Sequence, residues 1–180
     1  MRWPRVLGFV VVGAAIGAGV VILSTAANRY TSTEAFCTSC HAMASVAADP
    51  HYQQSAHRNN AAGVLATCAD CHVPANNWFI ETYSHAANGI GDAIAALTTD
   101  TRDPAVWSAR LPALAESARR QLREQNSITC RKCHDVAAIQ PGSAAGQKAH
   151  AMLTHTPINC AACHRNLVHS PTAGSSGAKP

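Results

Sequence analysis

Four copies of one short pattern, Cys-x-x-Cys-His, account for every cysteine in this 180-residue chain: Cys37/Cys40/His41, Cys68/Cys71/His72, Cys130/Cys133/His134 and Cys160/Cys163/His164. In this pattern two thiols add to the vinyl groups of a haem and the adjacent histidine stands ready to ligate its iron. Zinc ribbons also use paired Cys-x-x-Cys sites, but they do not require a histidine after each second cysteine. Disulfides would use an even number of cysteines and leave the histidines unexplained. The pattern therefore predicts four covalently attached haem c groups. Only 5% of the chain is aromatic, so the haems are expected to replace a core that the side chains alone are too small to build.

Before the first motif, Leu7 to Ala27 is uncharged and would span roughly 31 Å as a helix, about one bilayer core. The "STAA" that ends it has the small residues of a signal-peptidase site, but the apolar run is longer than the about 7 to 15 residues of a signal core. Residues 1–29 are therefore read as a retained transmembrane anchor. Arg2 and Arg5 precede the span and Arg29 follows it, a small bias toward a cytoplasmic N-terminus. Gly13 and Gly17 form a G-x-x-x-G pair through which two anchors could pack as a homodimer; ordinary use of small residues explains the pair equally well.

The motifs come as two close pairs, and the spacing repeats. His57, in "QSAH", lies sixteen residues after His41, and His150, in "QKAH", lies sixteen after His134. This reads as a duplicated two-haem unit, covering about 37–75 and 130–169. A haem iron needs a sixth ligand, and imidazole supplies it well. His57 and His150 are expected to be distal ligands opposite the motif histidines, with His169 in "CHRNLVH" as a third. Which distal histidine serves which of His72, His134 and His164 is left open. His51, His85 and His155 lack such spacing and are expected to be exposed or hydrogen-bonded. Three spare histidines serve three haems; the fourth haem is the one beside Met43, in "CTSCHAM", the single motif with a methionine two residues after its histidine.

A helical insert, 78–125, separates the pairs. Phe79, Tyr83, Ala87, Ile90, Ile94 and Leu97 recur at helical spacing, and Glu81, His85, Asn88 and Asp92 form a second, polar stripe. Asp103-Pro104 reads as the N-cap and first position of another helix. Its buried side would carry Trp107, Leu111, Leu114, Ala118 and Leu122, and Pro112 should kink or restart it. Glu116 and Arg120, one turn apart, suit a solvated face. The tail 171–180 is expected to be disordered.

"STEAFCTSCHAM", "HRNNAAGVLATCADCHVP", "SITCRKCH" and "CAACHRNLVH", following an N-terminal anchor, resemble the membrane-anchored tetrahaem cytochromes c of the NapC, NirT and NrfH family. The resemblance covers nearly the whole chain. It implies a mainly α fold with little or no β structure: one transmembrane helix and a small multihaem domain at 30–170. It further implies that Met43 is an axial ligand of the first haem, that His41 need not bind iron, and that quinol or menaquinol is oxidised beside this haem. Relatives carry lysines on the helix after the second motif, whereas this chain has no lysine before Lys132. Asp92 resembles the family's acidic residue there, and His85 stands where a lysine is expected. Quinol oxidation releases protons, so these two titratable groups are the expected quinol-site residues.

The expected activity is that of a quinol dehydrogenase, the electron-transfer component of an anaerobic or nitrogen-oxide respiratory chain. It would link the membrane quinone pool to a periplasmic redox partner such as a reductase. The alternatives are an electron-transfer subunit without a quinone site, or the same relay feeding the pool. The expected location is the bacterial inner membrane, single-pass, with the haem domain in the periplasm. A net charge of +4 is too small to define a partner face, and no nucleic-acid partner is expected.

Overall fold

The computed structural model describes residues 3–155 and 159–170. The side chain of His155 and the tail 171–180, for which an exposed histidine and disorder are expected, lie outside the described residues. Among these residues every regular element is helical, with no strand. The first, α1 (Trp3–Thr31), runs 29 residues and is apolar on all sides, from Phe9 at 79% exposure to Leu23 at 71%. A helix hydrophobic all round must be buried in protein or in lipid, and none of its apolar window is covered by protein. It is long and apolar enough to cross a membrane.

Short helices then carry the motifs. α2 (Glu34–Cys37) ends on Cys37, and α3 (His41–Ala47) begins on His41 with Cys40 as its N-cap. The first motif is thus split between two helices, with Met43 on the first turn of α3. α4 (Pro50–Gln54) is capped by the Asp49 carboxylate, which accepts from the His51 backbone N–H at 2.8 Å. The second motif is one helix, α5 (Cys68–His72). A reciprocal cap fixes its start: the Thr67 backbone N–H donates to the Asp70 carboxylate at 2.9 Å while Thr67 Oγ1 accepts from the Asp70 N–H. The third motif begins in α8 (Ile128–Arg131), and the fourth forms α10 (Cys160–Cys163), with His164 as its C-cap. α9 (Ala144–Ala151) carries His150.

Between the motif pairs stand α6 (Trp78–Thr98) and α7 (Pro104–Glu124), each of 21 residues. Asn77 caps α6 and Asp103 caps α7, where its carboxylate accepts from the Ala105 N–H at 2.8 Å. α7 passes through Pro112 as one helix and does not restart there. Its stripe is half-buried at Trp107, Leu111, Ala118 and Leu122, and Leu114 is exposed. Glu116 pairs with Arg119 at 3.1 Å and Arg123 at 2.6 Å rather than with Arg120, which reaches Ser117. Rows three and seven residues apart lie on one side of a helix, so both arginines reach one carboxylate.

Among the described residues a conventional core is missing. Among the described residues the buried apolar side chains are Ala42, Tyr52 and Ala161, and the fully buried side chain is a serine, Ser127. Two alanines and a tyrosine do not enclose a domain of this length. The helices are joined instead by polar locks. Ser127 Oγ donates to Asn159 Oδ1 at 3.2 Å and accepts from the Ala161 N–H, while Asn159 Nδ2 donates to the Arg123 carbonyl at 3.0 Å. These bonds tie the fourth motif to the end of α7 and the start of the third motif. Asn126 and Ser127 both have positive φ, at 50° and 52°, a conformation costing roughly 1 to 3 kcal/mol for non-glycine residues.

Candidate haem sites

The four motifs form a sequence in space as well as along the chain. α2 packs on α5 and α5 on α8. Burial, then its neighbour Cys68, pushes the Cys37 thiol up; burial, then Cys130, raises Cys71 to about 11; burial, then Cys160, raises Cys130. Each motif therefore borders the next.

The histidines come in facing pairs. His57 lies 6.1 Å from His134, His72 lies 6.2 Å from His169, and His150 lies 5.9 Å from His164, ring centre to ring centre. Two metal–imidazole bonds of about 2 Å, plus about 1 Å from each nitrogen to its ring centre, place such centres roughly 6 Å apart. Two imidazoles and no more suit an iron whose other four ligands belong to a porphyrin. Burial pushes His72 and His169 below the ordinary imidazole range, and burial and then His134 do the same to His57. These rings are neutral near pH 7 and keep a lone pair for a metal.

The ring nitrogens fit the same group. Nδ1 of His150 donates to the Gly146 carbonyl at 2.8 Å, one turn back along α9, leaving Nε2 free. Nδ1 of His57 and of His169 are buried without a protein partner, a position that costs about 1 to 3 kcal/mol unless something else occupies it. Facing imidazole pairs in a domain whose described residues bury so few apolar side chains accommodate haem on both counts.

His169 is delivered from far along the chain. Ser170 Oγ donates to Asp49 Oδ1 at 3.0 Å, and His51 Nε2 meets the Asn166 carbonyl at 3.1 Å, so residues 164–170 fold back on α4. Tyr52, 3% exposed, then stacks on the His169 ring at 5.6 Å and 4°. Its hydroxyl donates to Glu34 at 3.4 Å and lies 3.8 Å from Cys68 Sγ, and Arg58 sits over the ring while pairing with Glu34 at 2.8 Å. Sequence reasoning missed Tyr52, Glu34 and Arg58, as it missed Ser127 and Asn159. Nothing in their spacing marks them except that Asn159 directly precedes Cys160.

His41 stands apart. It is exposed and faces no second imidazole among the described residues, and Met43 beside it is 40% exposed. The first motif lies against the C-terminal end of α1, where Cys37 Sγ is 3.9 Å from the Thr31 carbonyl. One residue on, Ser32 Oγ is 3.2 Å from His85 Nε2, and His85 Nδ1 is 3.0 Å from the Glu81 carbonyl. A carbonyl only accepts, so Nδ1 carries the proton and Nε2 of the neutral ring accepts from Ser32. His85 is therefore half-buried and hydrogen-bonded. Asp92 shares its face of α6 two turns on, is exposed, and has its carboxyl pushed up by desolvation alone.

The NapC/NirT cytochrome c family, N-terminal region, matches residues 2–173. The chain belongs to this family. It is 35% identical over 179 residues to the cytochrome c-type protein TorC of Escherichia coli, covering 98% of this chain and 45% of TorC. It is 35% identical over 165 residues to a probable tetrahaem cytochrome c-type protein of Nitrosomonas europaea, covering 91% of this chain and 69% of that one. It is 32% identical over 168 residues to the denitrification system component NirT of Stutzerimonas stutzeri, covering 90% and 80%. The chain thus spans less than half the length of TorC. No solved structure matches it. As a NapC/NirT cytochrome it is a haem c protein of electron transport with an N-terminal apolar helix suited to anchoring it in a membrane.

Proposed function

We propose that the chain holds four haems and carries electrons from quinol in the bilayer to a periplasmic redox partner, with electrons entering beside Met43. The observation that carries this reading is the inventory of imidazoles: His57 with His134, His169 with His72 and His150 with His164, leaving His41, beside Met43 at the C-terminal end of α1, without a second imidazole among the described residues. In this reading the eight motif cysteines bind the porphyrins and those three pairs hold three irons. Bound haem supplies one-electron redox chemistry. His41 and Met43, two residues apart, point to nearly opposite sides of α3, and Met43 is the ligand at the first site. A thioether is a weaker donor than imidazole to ferric iron and raises the potential there, which suits the point of entry.

The protein's own part in quinol oxidation is to receive protons. His85 Nδ1 donates to the Glu81 carbonyl and Nε2 accepts from the Ser32 hydroxyl, so as Ser32 passes its own proton to Nε2 its oxygen can take one from a quinol hydroxyl. Asp92, on the same face, is a stronger base than an ordinary carboxylate because desolvation disfavours its charge. Mixing the fully haem-loaded protein with a menaquinol analogue in a stopped-flow instrument should reduce haem rapidly. No reduction at any poise would instead support an electron-transfer subunit lacking a quinone site, the reading favoured by the absence of lysine from α6.

Two further results are expected. The spectrum of the loaded protein should contain three low-spin bis-histidine signals and one distinct signal, and Met43→Ala should alter only the distinct one; four identical signals would remove the special place of Met43. The quinol-driven rate should fall as pH drops through a value above the usual carboxylate range, because Asp92 must be ionised to act as a base. Asp92→Asn should shift that acid limb, since His85 remains as the second proton acceptor, and an unchanged limb would remove Asp92 from the site.

A further inference from the structure

Among the described residues nothing covers the apolar stripe of α6. Phe79, Tyr83, Ile90, Ile94 and Leu97 are 76%, 74%, 62%, 57% and 87% exposed, and their spacing puts them on one side of the helix. From Phe79 to Leu97 the stripe is roughly 27 Å long. Soluble surfaces rarely expose contiguous apolar patches on this scale.

We infer that this face of α6 lies in the surface of the bilayer that α1 enters, so that the chain meets the membrane through two helices and not one. Continuity with α1 carries the inference. α6 packs on the end of α1, where Asn28 Nδ2 donates to Thr82 Oγ1 at 2.9 Å and Ser32 meets His85. The stripe therefore starts at the level where the apolar helix ends. Phe79 and Tyr83 stand nearest that junction, and aromatic side chains favour the headgroup level. The first motif reaches α6 by way of Thr31, Ser32 and His85, and His85 belongs to the polar side, with Glu81, Asn88 and Asp92. α6 contains Glu81 and Asp92 but no lysine or arginine, so burial of apolar area, rather than attraction to anionic lipid, holds it on the membrane. The inference rests on α1 crossing the bilayer and not on any quinol chemistry.

The haem-loaded, full-length protein in lipid discs provides the test. Every native cysteine lies in a haem motif, so an introduced one is the single free thiol. Ile90→Cys, Ile94→Cys, Leu97→Cys and, as a polar-face reference, Asn88→Cys each receive a nitroxide, with the haem spectrum confirming the fold. Collisions with oxygen, relative to a water-soluble nickel complex, should be severalfold more frequent at 90, 94 and 97 than at 88, and unchanged between neutral and anionic lipid. Equal, water-like ratios at all four positions would overturn the inference. Low collision rates with both reagents would also overturn it: a new spin–spin distance would then identify a second copy on the face, and relaxation dominated by nearby iron would identify haem.

Discussion

Made in cells that cannot attach haem, the chain should fail to form a cooperatively folded domain. Each ordered residue gives up about 1 to 2 kcal/mol of backbone entropy, and apolar burial is the main term that offsets such losses. Here the described residues bury only Ala42, Tyr52 and Ala161 as apolar side chains. The polar locks around Ser127 and Asn159 position the motifs, but a net hydrogen bond adds only about 0.5 to 1.5 kcal/mol. Far-ultraviolet circular dichroism of detergent-solubilised apo-protein should retain the helix signal of α1 and show no sigmoidal thermal transition from the remainder. The haem-loaded form should show one. A cooperative transition without haem would mean that the helices hold one another and that haem is not what completes the interior.

The second large effect is spectroscopic, and it tests which imidazoles belong together. His57 lies in the first half of the chain yet faces His134 of the third motif; His169, at the other end, faces His72 of the second. Replacing His57 with alanine should convert one low-spin haem to a high-spin or differently ligated form and leave two bis-histidine signals intact. The same substitution in protein already lacking the third haem, through Cys130→Ala and Cys133→Ala, should change nothing more. In protein lacking the second haem, through Cys68→Ala and Cys71→Ala, its effect should persist in full. Groups acting through one haem are non-additive, whereas independent haems add. The opposite pattern would assign His57 to the second haem and break the crossed arrangement.

The helices were legible because their signals are local. Asp103-Pro104 starts α7 where a cap and a first-turn proline predict it, and the stripe from Phe79 to Leu97 lies within α6. The stripe could not reveal what it faces, since helical spacing records only that one side is apolar. Of the two outcomes expected at Pro112, a kink or a restart, the restart does not occur: α7 runs through it, because one lost hydrogen bond need not end a helix whose other turns are intact. His57, His150 and His169 stood out by position against the motifs. The Tyr52, Glu34 and Arg58 cluster around His169 did not, because its members meet only after residues 164–170 return to α4.

The order of amino acids by itself determined the chemistry available to this cytochrome. Cys-x-x-Cys-His is a local pattern that the covalent chemistry of haem reads within five residues, and an uncharged apolar run is read by lipid in the same local way. Tertiary structure decided the partnerships. It set His134 opposite His57, His72 opposite His169, and His85 against Ser32 at the C-terminal end of α1. Those contacts span 53 to 97 residues, and no local preference encodes a meeting that depends on how every intervening segment packs.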